Sequence, residues 1–121
     1  MPSRLRNRTI LFVYGEIDHF VVEVHQALDQ TGADTVIART PSDATTALTR
    51  FDFNGALVNF LQGTDEHQEL LRALAGVPTL VLCSPLTSFS AFSGFPILAR
   101  PVTADAVLTA LARLVGSGHD G

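Results

Sequence analysis

"GALVNFLQG", residues 55–63, decides how this chain is read. Ala56, Leu57 and Val58 form a short apolar run, and an amide, Asn59, interrupts it before Phe60. A run this short and this apolar suits a strand covered on both faces. An Asn near the carboxyl end of such a strand has two readings. It caps a loop by bonding to nearby backbone, or it belongs to a site, because open parallel sheets bind ligands beyond the carboxyl ends of their strands.

Segments on either side of this run alternate in the same way. "TILFVY" (9–14), "DTVIAR" (34–39), "PTLVLC" (78–83) and "PILAR" (96–100) read as four further strands. Between them, Ile17, Phe20, Val21, Val24 and Leu28 recur at helical spacing within 16–32, where Gly32 is placed for a C-cap. A second helix is predicted over 41–51, with Ser42 as N-cap, and a third over 64–76, with Thr64 as N-cap and Leu70, Leu71 and Leu74 as its apolar stripe. The last helix is predicted over 103–116, capped by Thr103, with Val107, Leu108, Leu111, Leu114 and Val115 facing inward. Uniformly apolar strands alternating with helices predict a doubly wound five-stranded parallel α/β sheet.

With 121 residues, 46% hydrophobic and 17% charged, the chain is expected to form one domain with a core that needs neither disulfides nor metal. No apolar run reaches membrane-span length. The basic start, "MPSRLRNRTI", leads into a strand without a small-residue cleavage site, so a secretory leader is not expected. The single cysteine, Cys83, has no internal partner, which fits a reducing cytoplasm, where it serves as a small buried apolar residue. A net charge of −4 argues against direct nucleic-acid binding, and the basic arm Arg4, Arg6, Arg8 reads as a solvated terminus. His19 and His25 are six apart, off the i, i+4 spacing of a zinc pair, and His67 and His119 are scattered, so no metal is assigned.

In order, "ILFVYGE", "GALVNFLQG", "VPTLVLCSP" and "PILARP" resemble the receiver domain of two-component response regulators, from Thr9 to Val115. The last two are the more specific: a Val-Pro opening the fourth strand, and a basic residue followed by Pro closing the fifth. The resemblance implies a CheY-like, flavodoxin-like (βα)5 fold with strand order 2-1-3-4-5. An N-terminal arm (1–8) precedes the domain (9–115), and a flexible tail (116–121) follows. It also implies a cis peptide at Arg100-Pro101.

An active receiver holds Mg²⁺ on an acidic pair after strand one and accepts phosphate on an Asp ending strand three. A Thr or Ser after strand four and a Lys after strand five complete its site. On this sequence the acidic pair falls on Tyr14 and Gly15, the acceptor on Asn59, the hydroxyl on Cys83 and the lysine on Arg100; the aromatic switch position falls on Ile97. Only Glu16, just past the acidic pair, and the charge of Arg100 survive, and the two are placed to pair. A neutral amide is a far weaker nucleophile than a carboxylate, and Mg²⁺ is bound through carboxylates. Loss of the carboxylates together with the metal leaves no unbalanced charge. The resemblance is therefore to a degenerate, or pseudo-, receiver, with no catalytic residue, metal or cofactor.

The expected function is a phosphorylation-independent protein-interaction module whose partner is a histidine kinase, another regulator or a second copy. No effector domain is expected after the last helix, which fits a stand-alone protein or a piece of a hybrid kinase. "PLTSFSAFSGFP" (85–96) repeats Leu86, Phe89, Phe92 and Phe95 every third residue. Phe95 is expected in the core, and Leu86, Phe89 and Phe92 are candidate anchors of a homodimer or partner face over 85–115. An alternative is a sensor of a nucleotide second messenger, using Arg39, Arg50 or Arg100, although "YGEIDHF" is no phosphate-binding loop. An enzyme on a similar sheet is disfavoured, because the chain has no G-x-S-x-G elbow.

Overall fold

The computed structural model describes residues 5–15, 17–60, 65–83, 96–99 and 102–117. Among these, the element order is β1 (Thr9–Val13), α1 (His19–Gln30), β2 (Asp34–Ala38), α2 (Pro41–Arg50), β3 (Gly55–Phe60), α3 (Asp65–Ala73), β4 (Thr79–Cys83), β5 (Ile97–Ala99) and α4 (Ala104–Ser117). The strands form one parallel sheet, as the sequence pattern predicts, in the order β2-β1-β3-β4-β5 that the resemblance implies. Val13 stands against both Ala38 and Val58, and Cys83 stands against Phe60 and Ala99, so the strand ends share one rim. Among the described residues, no helix is long and apolar enough to cross a membrane.

Strand periodicity divides β1 between two cores. Ile10 and Phe12 join Leu57, Leu80 and Leu82 under α1 and α4, which supply Val21, Val24, Leu28, Val107, Leu108, Leu111 and Val115. Leu11 and Val13 join Ala56, Val58 and Val81 under α2 and α3, which supply Ala44, Ala47, Leu70, Leu71 and Leu74. Each fully buried Leu or Val stabilises by about 1.5–3 kcal/mol. These two layers hold the central strands dry on both faces.

Helix starts depart from the sequence reading. α1 begins at His19 because Asp18 caps it, its carboxylate accepting from the Val21 N–H at 2.8 Å. Ile17, expected within the helix as part of its apolar repeat, precedes it and is 57% exposed. α2 is capped by Thr40, not Ser42: the Thr40 hydroxyl accepts from Asp43 N–H at 3.0 Å, and Pro41 takes the first helical position, where no N–H is needed. Gly32 lies one residue beyond the C-cap, Thr31, at φ +83°, the left-handed geometry that favours glycine. The Thr103 hydroxyl accepts from Ala106 N–H at 3.1 Å, and α4 continues to Ser117, into the expected tail. Thr64 lies outside the described residues.

Leu5 is buried against the α1/α4 core, so the described part of the arm, residues 5–8, is anchored there while Arg6 stays exposed. Asn7 N–H donates to the Gly32 carbonyl at 3.1 Å, which holds that docked turn to the α1–β2 corner.

Candidate functional site

The carboxyl rim is built from the residues that follow the central strands. Tyr14 extends the β1–β2 ladder by one step, its N–H donating to the Ala38 carbonyl at 3.1 Å. Its ring packs 4.9 Å from Phe12 at a 59° tilt, and the residue is 8% exposed. Gly15 faces open space, with no atom within 4 Å of where a Cβ would stand. Because Val13 pairs with Ala38, residues 14 and 39 are the next on neighbouring strands. Arg39 Nε and Nη2 both donate to the Gly15 carbonyl, at 3.2 and 2.7 Å. The guanidinium carbon lies 5.2 Å from the Tyr14 ring centroid. At an exposed position the ring contact alone is worth about 0.5–1 kcal/mol.

Asn59 stands on the other side of β1. It follows Val58, the partner of Val13, and shares the sheet face of Leu57 by strand alternation. It is 8% exposed, and its Oδ1 has no hydrogen-bond partner among the described residues. The loop-cap reading of this amide therefore has no support from the described contacts of Oδ1. A buried acceptor left unpaired costs about 1–3 kcal/mol, so the amide is not explained by the packing of β3.

The structure thus brings Tyr14, Gly15 and Asn59 to one rim, and Cys83 ends β4 on the same rim. Ile97 opens β5 against Val81, half-buried. Glu16, Arg100 and Pro101, with the ion pair and the cis peptide expected of them, lie outside the described residues. So do Leu86, Phe89, Phe92 and Phe95. Of the arginines considered for an anionic ligand, Arg39 is on this rim, whereas Arg50 closes the last turn of α2, just before β3 begins, at the opposite end of the sheet. The role of Arg39 as a clamp on Gly15 was missed by the sequence reading; the signal available was a basic residue directly after strand two. His19 and His25 each pair along α1 with an acid one turn on, Glu23 at 2.8 Å and Asp29 at 3.8 Å, on the exposed surface.

Compared by sequence, the chain matches no family model and no curated protein. Compared by structure, it is similar to a response-regulator receiver protein of Sinorhizobium medicae WSM419, with TM-score 0.78 and 18% identity over 95% of this chain and 99% of that one. The fold is that of a response-regulator receiver domain. A Francisella response-regulator receiver domain aligns at TM-score 0.74 and 15% identity, over 93% of this chain and 100% of the other. The receiver domain of a Pseudomonas aeruginosa PAO1 sensor histidine kinase aligns at TM-score 0.76 and 17% identity, over 91% and 98%. That receiver holds a magnesium ion in its active-site cleft.

The described residues of this receiver fold do not fit such an ion. Magnesium takes one or two carboxylates with waters and phosphate. At this rim stand a phenol, a glycine, an amide and a guanidinium. Among the described residues, no three His, Cys, Asp or Glu side chains group to hold a metal.

Proposed function

We propose that this chain is a degenerate receiver that acts in two-component signalling through protein–protein contact, without phosphoryl transfer and with no catalytic step of its own. The observation that carries this reading is Asn59: the strand end where a receiver presents its phosphoacceptor carries a buried neutral amide. Tyr14 and Gly15 on the adjacent strand end bring no carboxylate to assist it. A cytoplasmic setting and a histidine kinase, a second regulator or another copy as partner follow from the same reading. The test is intact mass after incubation with acetyl phosphate or phosphoramidate and Mg²⁺. An unchanged mass is expected, and a labile phosphoryl adduct overturns the reading.

The partner face is assigned to 85–115. Within that stretch, α4 commits Val107, Leu108, Leu111 and Val115 to the sheet. The anchor of the face is therefore assigned to Leu86, Phe89 and Phe92. Sedimentation over a concentration series is expected to show self-association, or capture of a purified partner, that weakens at least about tenfold in Phe89→Ala or Phe92→Ala, as hot-spot aromatics do. Folded mutants that associate like the wild type move the face elsewhere.

A further inference from the structure

Arg39 is none of the positions that correspond to phosphoryl chemistry, yet it is tied directly to two of them. Its fork closes on the Gly15 carbonyl with two hydrogen bonds, 3.2 and 2.7 Å, and its Cζ lies over the Tyr14 ring, 5.2 Å from the centroid. A lysine ammonium lacks the planar fork that makes both contacts together. The placement is set by the sheet: the Tyr14 N–H to Ala38 carbonyl bond fixes residues 14 and 39 side by side. A permanent positive charge is therefore fastened to the rim where the receiver resemblance places the metal-binding positions, Tyr14 and Gly15.

We propose that Arg39 is the resident cation of this rim. It takes the electrostatic place of a divalent metal, holds the start of the β1–α1 loop against β2, and keeps a metal out even when carboxylates are supplied. The biological meaning of this role rests on the phosphorylation-independent reading above. A carboxylate introduced at position 15 meets Arg39 as a ready partner, because guanidinium–carboxylate pairing is strong and directional. A dication about 6 Å from a fixed guanidinium in a water-like dielectric loses on the order of tenfold in affinity.

The experiment uses a feature of the composition. Tyr14 is the sole tyrosine and the chain has no tryptophan, so its emission reports on the ring beneath Arg39. The background is Gly15→Asp with Asn59→Asp: position 15 has room for a side chain, and Asp nearly matches Asn in shape. In this background, Arg39 is kept or replaced by Lys or Ala, folding is checked by thermal melts, and Mn²⁺ is titrated by calorimetry and by Tyr14 quenching. Mn²⁺ is expected to bind at least about tenfold more tightly with Arg39→Ala than with Arg39. Arg39→Lys, which keeps the charge but not the two-bond fork, is expected to fall between Arg39 and Arg39→Ala. Equal affinity across the three overturns the proposal. In the otherwise native chain, Arg39→Ala is expected to raise acrylamide quenching of Tyr14, and unchanged quenching overturns it even if the Asp variants fail to fold. A phosphoryl adduct on the wild type removes the phosphorylation-independent reading alone. Equal Mn²⁺ affinity removes the role of Arg39 alone.

Discussion

Asn54 and Asn59 stand at the two ends of β3 and are used in opposite ways. Asn54 Oδ1 accepts from Thr9 N–H at 2.8 Å, and its own N–H donates to the Thr9 carbonyl at 2.9 Å, so the amide side chain starts the β1–β3 ladder. Asn59 is buried with its Oδ1 unpaired among the described residues. The glycines repeat the contrast. A Cβ on Gly55 would lie 2.6 Å from Val115 Cγ2, whereas one on Gly15 would meet nothing within 4 Å. At the amino end of β3, Asn54 and Gly55 are both accounted for by hydrogen bonding or packing. At the carboxyl end, Asn59 Oδ1 has no partner among the described residues and Gly15 faces open space.

The glycines give the largest effect by which to break this comparison. Gly55→Val is expected to destabilise by about 1–3 kcal/mol, because Val115, Ile10 and the Pro78 carbonyl all crowd the new side chain. Gly15→Ala is expected to change stability by less than about 1 kcal/mol. Urea denaturation measures both, and equal losses would erase the distinction between the rims. Asn54→Ala comes next, with a loss of about 1 kcal/mol in the same assay from the unpaired Thr9 N–H. Asn59→Val is the smallest and differs in sign, a gain of about 0.5–1 kcal/mol as an orphaned acceptor is removed from a strand end. A loss at Asn59→Val would mean that the amide is held by groups outside the described residues, and the contrast with Asn54 would fall.

How the helices begin shows where sequence reading loses precision. Ser42 and Thr40 both qualify as caps by residue type. The choice falls to Thr40 because Pro41 fits the first helical position, which lacks an intrahelical donor bond in any case. Ile17 matches the apolar spacing of α1, but Asp18 captures the helix start one residue later and leaves Ile17 outside. Periodicity identifies a helix; competition between neighbouring caps decides its first residue.

By itself, the sequence determined the α/β alternation, the parallel sheet and its strand order, and the arrival of Tyr14, Gly15, Asn59 and Cys83 at one rim. The alternation and the parallel sheet follow from patterns local to each segment and from the short connections between segments, whereas the strand order came from the resemblance to receivers. The tertiary structure alone decided that Arg39 would clamp Gly15 and cover Tyr14, and that the Asn59 acceptor would be buried unpaired among the described residues. Arg39 and Gly15 are 24 residues apart, and no local pattern joins them. The β1–β2 register does so, and register is fixed only when both apolar faces of the sheet find their helices at once.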